Sequence, residues 1–262
     1  MPLSFSQPCS SGALLLLVVS NFLLWENVAS MALGSSNTED DQQSLKDQFH
    51  NTLALSQNIN DQNMKLRKIF TISELSAKIF DNFLNSSLVS FDQFMFTFLG
   101  EQKLLAKNLT SCHNYSIQTP ETMDDAQSTS LEEFPILILS RVLAWKDTLK
   151  NLLTVLGSMP GTDDDVISLV KDIERKNAKL LKDTKSILSS VYGTTENVDY
   201  PLWSGFEDFQ SSDELSQFIA LCKLSYCLHV DIQTVDLYLK LLSCLVVGDS
   251  DICSSLSRTK AP

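Results

Sequence analysis

Two long amphipathic runs separated by six residues constrain this chain more than any other feature. Residues 131–156 and 163–192 carry apolar side chains at three- and four-residue steps, the period of one helix face. The first stripe is Phe134, Leu137, Ile138, Trp145, Leu149, Leu152 and Leu156. The second is Val166, Val170, Ile173, Leu180, Leu181, Ile187, Leu188 and Val191. Gly157-Ser-Met-Pro-Gly-Thr162 joins them, and so short a connection folds its two helices back antiparallel. Local signals agree with these bounds. Ser130-x-x-Glu133 reads as a capping box, and Pro135 sits in a first turn, where its missing N–H costs little. Thr162 followed by Asp163, Asp164 and Asp165 places a cap and negative charge at a helix N-terminus.

Two further helices flank this pair at the ends of long connections. The first is expected over about 65–100, with Ile69, Ile72, Leu75, Ile79, Phe83, Phe91, Phe94 and Phe98 on one stripe and Asn85 opposite. The last begins after the Ser211-x-x-Glu214 box and runs to about Val247, with Ile232, Val235, Leu239 and Leu242 at helical steps. Connections 101–130 and 193–211 are long enough to let the first two helices, and the last two, run parallel. The expected fold is therefore all-α, an up-up-down-down four-helix bundle of the long-chain cytokine type with two long crossovers. No segment sustains a period of two, so no sheet is expected. Residues 31–63 are polar, and Leu45, Phe49, Leu53 and Ile59 give only a faint period. They read as a loosely docked extension of a domain spanning 64–262.

Residues 1–30 read as a secretory signal. Ala13 to Leu24 is a short apolar run, and Val28-Ala29-Ser30 offers the small residues a signal peptidase needs. No later segment approaches the length of apolar chain that spans a bilayer, so no membrane insertion is expected. A formal net charge of −12 repels phosphate backbones and argues against a nucleic-acid partner, and equally against heparin. Eight glycines are few for a fold built on phosphate loops or many tight turns. Sequons at Asn85, Asn108 and Asn114 are glycan acceptors in a secreted chain.

Catalytic constellations are missing. The chain has no G-x-S-x-G, H-E-x-x-H, G-x-G-x-x-G or P-loop. His113 beside Cys112 lacks the paired spacing of a metal site and reads as a surface histidine next to a cystine. No enzyme activity, metal or cofactor is expected. The lysines of 163–192 alternate with acids and read as a solvated face.

Removing 1–30 leaves Cys112, Cys222, Cys227, Cys244 and Cys253. Cys244 and Cys253 straddle a helix end and a Gly-Asp turn and are able to close a small loop. Cys227 then joins Cys112, tying the first crossover to the last helix. That link encloses about a hundred residues, worth roughly 4–5 kcal/mol on the chain-entropy model. Cys222 remains as a buried thiol.

The order and spacing of these motifs resemble the somatotropin/prolactin family. Cys112-His-Asn-Tyr-Ser-Ile-Gln-Thr-Pro120, continuing through Ala126 and Phe134 to Ala144-Trp145, is one match. Cys227-Leu-His-Val-Asp-Ile and Tyr238-Leu-Lys-Leu-Leu-Ser-Cys244 form the second, and Tyr200-Pro-Leu-Trp-Ser-Gly205 resembles a second crossover of that family. The similarity spans about 65–253, and the signal region looks like that of placental members. The resemblance implies a secreted hormone, expected to be monomeric, that apposes single-pass cytokine-type receptors through two faces and catalyses nothing. It also implies the cystines Cys112–Cys227 and Cys244–Cys253.

The departures concern the receptor faces. Lactogens usually place a zinc-holding histidine in the last helix, where this chain has Gln233, with Val230 and Thr234 at neighbouring basic positions. Asp236, Tyr238 and Lys240 of that face are retained. On the second face a small glycine is usual, and Asp183 stands there, a carboxylate costly to desolvate unpaired. The expected partner is therefore a cytokine-type cell-surface receptor other than the prolactin receptor. The alternative is a secreted module that occupies an extracellular partner without activating a receptor.

Overall fold

A computed structural model describes residues 39–71, 112–114, 123–158, 164–193, 198–212 and 214–256. Four long helices form the body: α1 (Glu39–Thr71), α3 (Phe134–Ser158), α4 (Asp164–Tyr192) and α6 (Glu214–Val247). The described residues also form short helices α2 (Met123–Ser128), α5 (Phe206–Phe209) and α7 (Ser250–Leu256), with a 3-10 turn at Leu131–Glu133. Among the described residues there is no strand, only one isolated bridge between His113 and Trp203. No described helix is long and apolar enough to cross a membrane.

Side-chain contacts between helices fix the topology. Along α1, Asn63 bonds Ser225, Ser56 bonds Asp236 and His50 bonds Asp249, so α1 and α6 run antiparallel. Gln62 meets Asp172 and Ser186 meets Gln48, so α1 and α4 are antiparallel too. Asn177 reaches the Val142 carbonyl and Tyr192 the Leu131 carbonyl, which reverses α4 against α3. Trp145 meets Asp231 while Phe134 packs edge-on to Tyr238, which reverses α6 against α3. Hence α1 parallels α3 and α4 parallels α6, the up-up-down-down bundle expected from the connection lengths.

The first bundle helix does not start where its sequence period suggested. Residues 39–63 belong to α1 and are packed against α4 and α6, rather than forming a loose extension. Leu45, Phe49, Thr52, Ser56, Ile59, Asn63 and Leu66 of α1 are buried at alternating steps of four and three, with Leu53 buried beside them. This is a complete seam, but three of its members are polar, so the apolar period alone looks weak. Each has a hydrogen-bond partner: Thr52 Oγ1 donates to the Gln48 carbonyl, Ser56 Oγ to Leu53 O and Asp236, and Asn63 Nδ2 to Ser225 O. Of the helix expected over 65–100, only the portion to Thr71 is described; 72–100, with Asn85, lies outside the described residues, as does Asn108.

The other stripes are buried as their spacing required, except Leu181, which is half-buried. Trp145 is fully enclosed with Phe49, Phe134 and Phe209. Ser130 caps the 3-10 turn ahead of α3, its hydroxyl accepting from Glu132 N at 3.3 Å. At the C-terminal end of α6, Gly248 takes φ +63°, a left-handed cap that a side chain would strain. Asp249 follows and caps α7, its Oδ1 accepting from Asp251 N and Ile252 N.

Two cystines pin the connections to this frame. Cys112–Cys227 ties the first crossover to α6 across 115 residues, with Cα atoms 5.4 Å apart. Cys244–Cys253 joins the end of α6 to α7, Cα atoms 5.3 Å apart. Cys222 is a buried free thiol, and burial pushes its pKa up to about 12. It is a packing residue, inert at neutral pH.

Candidate receptor-binding site

The candidate site is held in place by a buried polar knot centred on Asp231 of α6. Asp231 Oδ2 accepts from Trp145 Nε1 and from His113 Nε2, both at 2.7 Å. The Arg141 guanidinium, fully buried, lies 3.7 Å from Oδ1, and its Nη1 donates to the Leu137 carbonyl at 2.9 Å. Burial lowers the Arg141 pKa, and the Asp231 charge opposes that shift. His113 is thus not the surface histidine expected beside the cystine. It is 5 % exposed, because a carboxylate waits inside to receive its N–H.

The knot also gathers the two crossovers. Asn114 N donates to Leu202 O at 2.9 Å, and Leu202 N returns to Asn114 Oδ1 at 3.0 Å. Ser204 N donates to Cys112 O at 3.1 Å. Trp203 is buried in this pairing, and Gly205 is required beneath it, since a Cβ there would collide with the indole. The phrase Tyr200-Pro-Leu-Trp-Ser-Gly205 is therefore a clasp for the first crossover.

Between Tyr226 and Lys240, what α6 leaves at the surface is narrow. Tyr226, His229, Val230, Gln233, Asp236 and Lys240 are half-buried and form one ridge at helical steps. Gln233 sits in the middle of it. Asp236 and Lys240 pair at 2.7 Å, and Asp236 also accepts from Ser56 Oγ at 2.8 Å, so both are committed within the fold. Tyr238 and Thr234 are not on the ridge. Tyr238 is 2 % exposed, its ring edge-on to Phe134 and its hydroxyl 3.2 Å from Thr129 Oγ1. Thr234 is fully buried and donates to the Val230 carbonyl. An α6 packed by α1 and α3 turns both inward, leaving Gln233 and Val230 as the altered positions that reach solvent. His229 lies 3.3 Å from Asn60 Oδ1, and burial followed by Arg67 lowers its pKa.

The second face is an open groove of about 540 Å³ between α1 and α4. Asp183 is on its α4 wall, where it does not stand unpaired as expected: Lys179, one turn earlier, binds its carboxylate. Asp172 is likewise held by Lys176, Gln62 and Arg175, which together push its pKa well below the carboxylate range. Among the described residues no group of three or more His, Cys, Asp or Glu converges to hold a metal.

A family model described as the somatotropin hormone family matches residues 17–253, nearly the whole chain. The chain belongs to that family. Its members are hormones and not enzymes. The chain is 61% identical to Prolactin-7A1 of Mus musculus over 259 residues, covering 97% of both chains. It is 52% identical to Prolactin-7A2 of Mus musculus over 257 residues, again 97% of both. It is 47% identical to Prolactin-7A2 of Rattus norvegicus over 257 residues, 98% of each. The resemblance drawn from the cystine and crossover phrases thus extends through the full length. Sequence reasoning missed the Asp231–Arg141 pair, whose one signal is a lone acid or base within each of two otherwise uncharged helical runs, 134–145 and 224–235.

Proposed function

We propose that this chain is a secreted prolactin-like hormone that acts as an extracellular ligand of a single-pass cytokine-type receptor other than the prolactin receptor. The observation that carries this reading is the solvent-facing ridge of α6, with Gln233 at its centre between Val230 and the Asp236–Lys240 pair. An amide in place of an imidazole is a poor zinc ligand, so a metal-bridged contact is lost while the ridge keeps its shape. Residues 1–30 serve as the signal peptide, and the mature chain works as a monomer. Receptor contact falls on Gln233, Val230 and the outer atoms of Asp236 and Lys240; Tyr238 supports them from inside.

Glycans on Asn85, Asn108 and Asn114 belong to the same reading. Asn114 is exposed, and a glycan attaches through Nδ2, which leaves the bond from Leu202 N to Oδ1 intact. The family membership favours a hormone over a silent binding module.

Cells expressing the prolactin receptor and a transcriptional reporter test the partner. The purified glycosylated protein should give no response up to micromolar concentration, while cross-linking captures a different single-pass receptor from responsive tissue. Robust reporter activation by the native chain would end this reading.

A further inference from the structure

We propose that the α1–α4 face binds a sulfated glycosaminoglycan chain. Residues 171–185 hold six lysines and arginines against three acids, a local net of +3 within a chain of net −12. The structure sorts these charges into two rows. Asp172 and Asp183 lie toward α1 and are neutralised by Lys176, Arg175 and Lys179. Lys171, Arg175, Lys182 and Lys185 form an adjacent, outward crest and are all exposed, with Lys182 also at the lip of the groove. Lys171, Lys182 and Lys185 have no carboxylate partner among the described residues. Within residues 171–185, Glu174, half-buried, is the acid nearest that edge. At 1.5 Å rise per residue the crest is about 21 Å long, a linear row of cations suited to a linear polyanion.

The groove beside the crest favours a sugar over other anions. Its α1 wall presents Gln48, Asn51 and Asn58, amides with no carboxylate among them, facing Lys176, Lys179, Lys182 and Ser186 of α4, where Asp183 is the one acid and is paired with Lys179. Amides and hydroxyls bond ring hydroxyls while the lysines meet sulfates. A lipid surface fits less well, since among the described residues the large exposed apolar side chains are Met64, Ile136 and Leu202, none of them on α4. The overall negative charge does not forbid the contact. At physiological ionic strength the Debye length is about 8 Å, so acids across the bundle are screened and the nearest charges govern.

The test is binding of the full-length glycosylated protein to immobilised heparan sulfate at 150 mM salt, with no receptor present, which keeps it separate from the receptor reading. Saturable binding, weakened by added salt and lost on desulfated chains, is expected. The triple variant Lys171→Ser, Lys182→Ser, Lys185→Ser should bind about a hundredfold more weakly, taking roughly fivefold per cation at an anionic surface. The charge-conserving Lys→Arg triple should keep the native affinity, and both variants should melt with the parent. The proposal is overturned by no binding of the native protein, by binding that survives the serine triple, or by preference for vesicles of 20% phosphatidylserine over heparan sulfate.

Discussion

Asp231 and Asp183 are carboxylates on α6 and α4, and their surroundings could hardly differ more. Asp231 has 5% of its side chain exposed and gathers Trp145, His113 and Arg141 from two other parts of the chain. Asp183 has 24% exposed and one partner, Lys179, on its own helix. The first acid decides which crossover lies against which helix. The second decides little about the fold and much about what its surface attracts. Burial sets the difference: an ion removed from water is tolerable only when its partners are complete, whereas a hydrated pair is nearly free to change.

Breaking the buried member should therefore have the largest effect. Asp231→Ala strands the Arg141 charge and removes the acceptor of two other donors, so a loss of about 3–5 kcal/mol is expected in urea denaturation. Asp231→Asn keeps an acceptor for Trp145 and His113 but not the charge opposite Arg141, and should fall between. A loss under about 1 kcal/mol for Asp231→Ala would mean that the cystine alone holds the crossover and that the knot is incidental.

An intermediate case sharpens the contrast. Asp249 is buried like Asp231 yet caps a helix, and it receives Lys46 at 3.4 Å and His50 at 2.7 Å. Burial raises its pKa, but the bonds from Ile252, His50, Asp251 and Lys46 outweigh that and leave it below the usual value. A depressed folded pKa means the stabilisation is complete above the unfolded value near 4 and is lost as pH falls through the folded one. Asp249→Ala should cost about 1–2 kcal/mol at pH 7, the usual range for a lost cap. The gap between mutant and parent should stay constant from pH 5 to 7 and narrow below pH 4 in acid titration of the denaturation midpoint.

The sequence made some of this visible and hid the rest for physical reasons. The α3, α4 and α6 stripes are legible because apolar side chains fill most inward positions, and the connection lengths then dictate the topology. α1 is not legible in the same way. Thr52, Ser56 and Asn63 sit in its seam, and a polar residue bonded across helices cannot be told from one bonded to water by spacing alone. Tyr238 and Thr234 failed as surface candidates for the converse reason. They alternate with ridge residues on a helix buried on most sides, so a linear motif mixes inward and outward positions. His113 was misplaced because its partner, Asp231, lies 118 residues away.

Asp183 itself supplies the smallest expected effect. Its carboxylate meets Lys179 at the lip of an open groove, and exposed i,i+4 pairs contribute about 0.3–0.5 kcal/mol. Asp183→Ala should leave the urea midpoint within that margin of the parent. The same change frees Lys179, adding one unneutralised cation to the groove wall beside the crest of Lys171, Arg175, Lys182 and Lys185. Affinity for heparan sulfate should then rise by roughly fivefold while stability stays put. A stability loss above about 1.5 kcal/mol would show that the pair is structural, erasing its contrast with Asp231. Unchanged affinity would place the polyanion away from this wall of the groove.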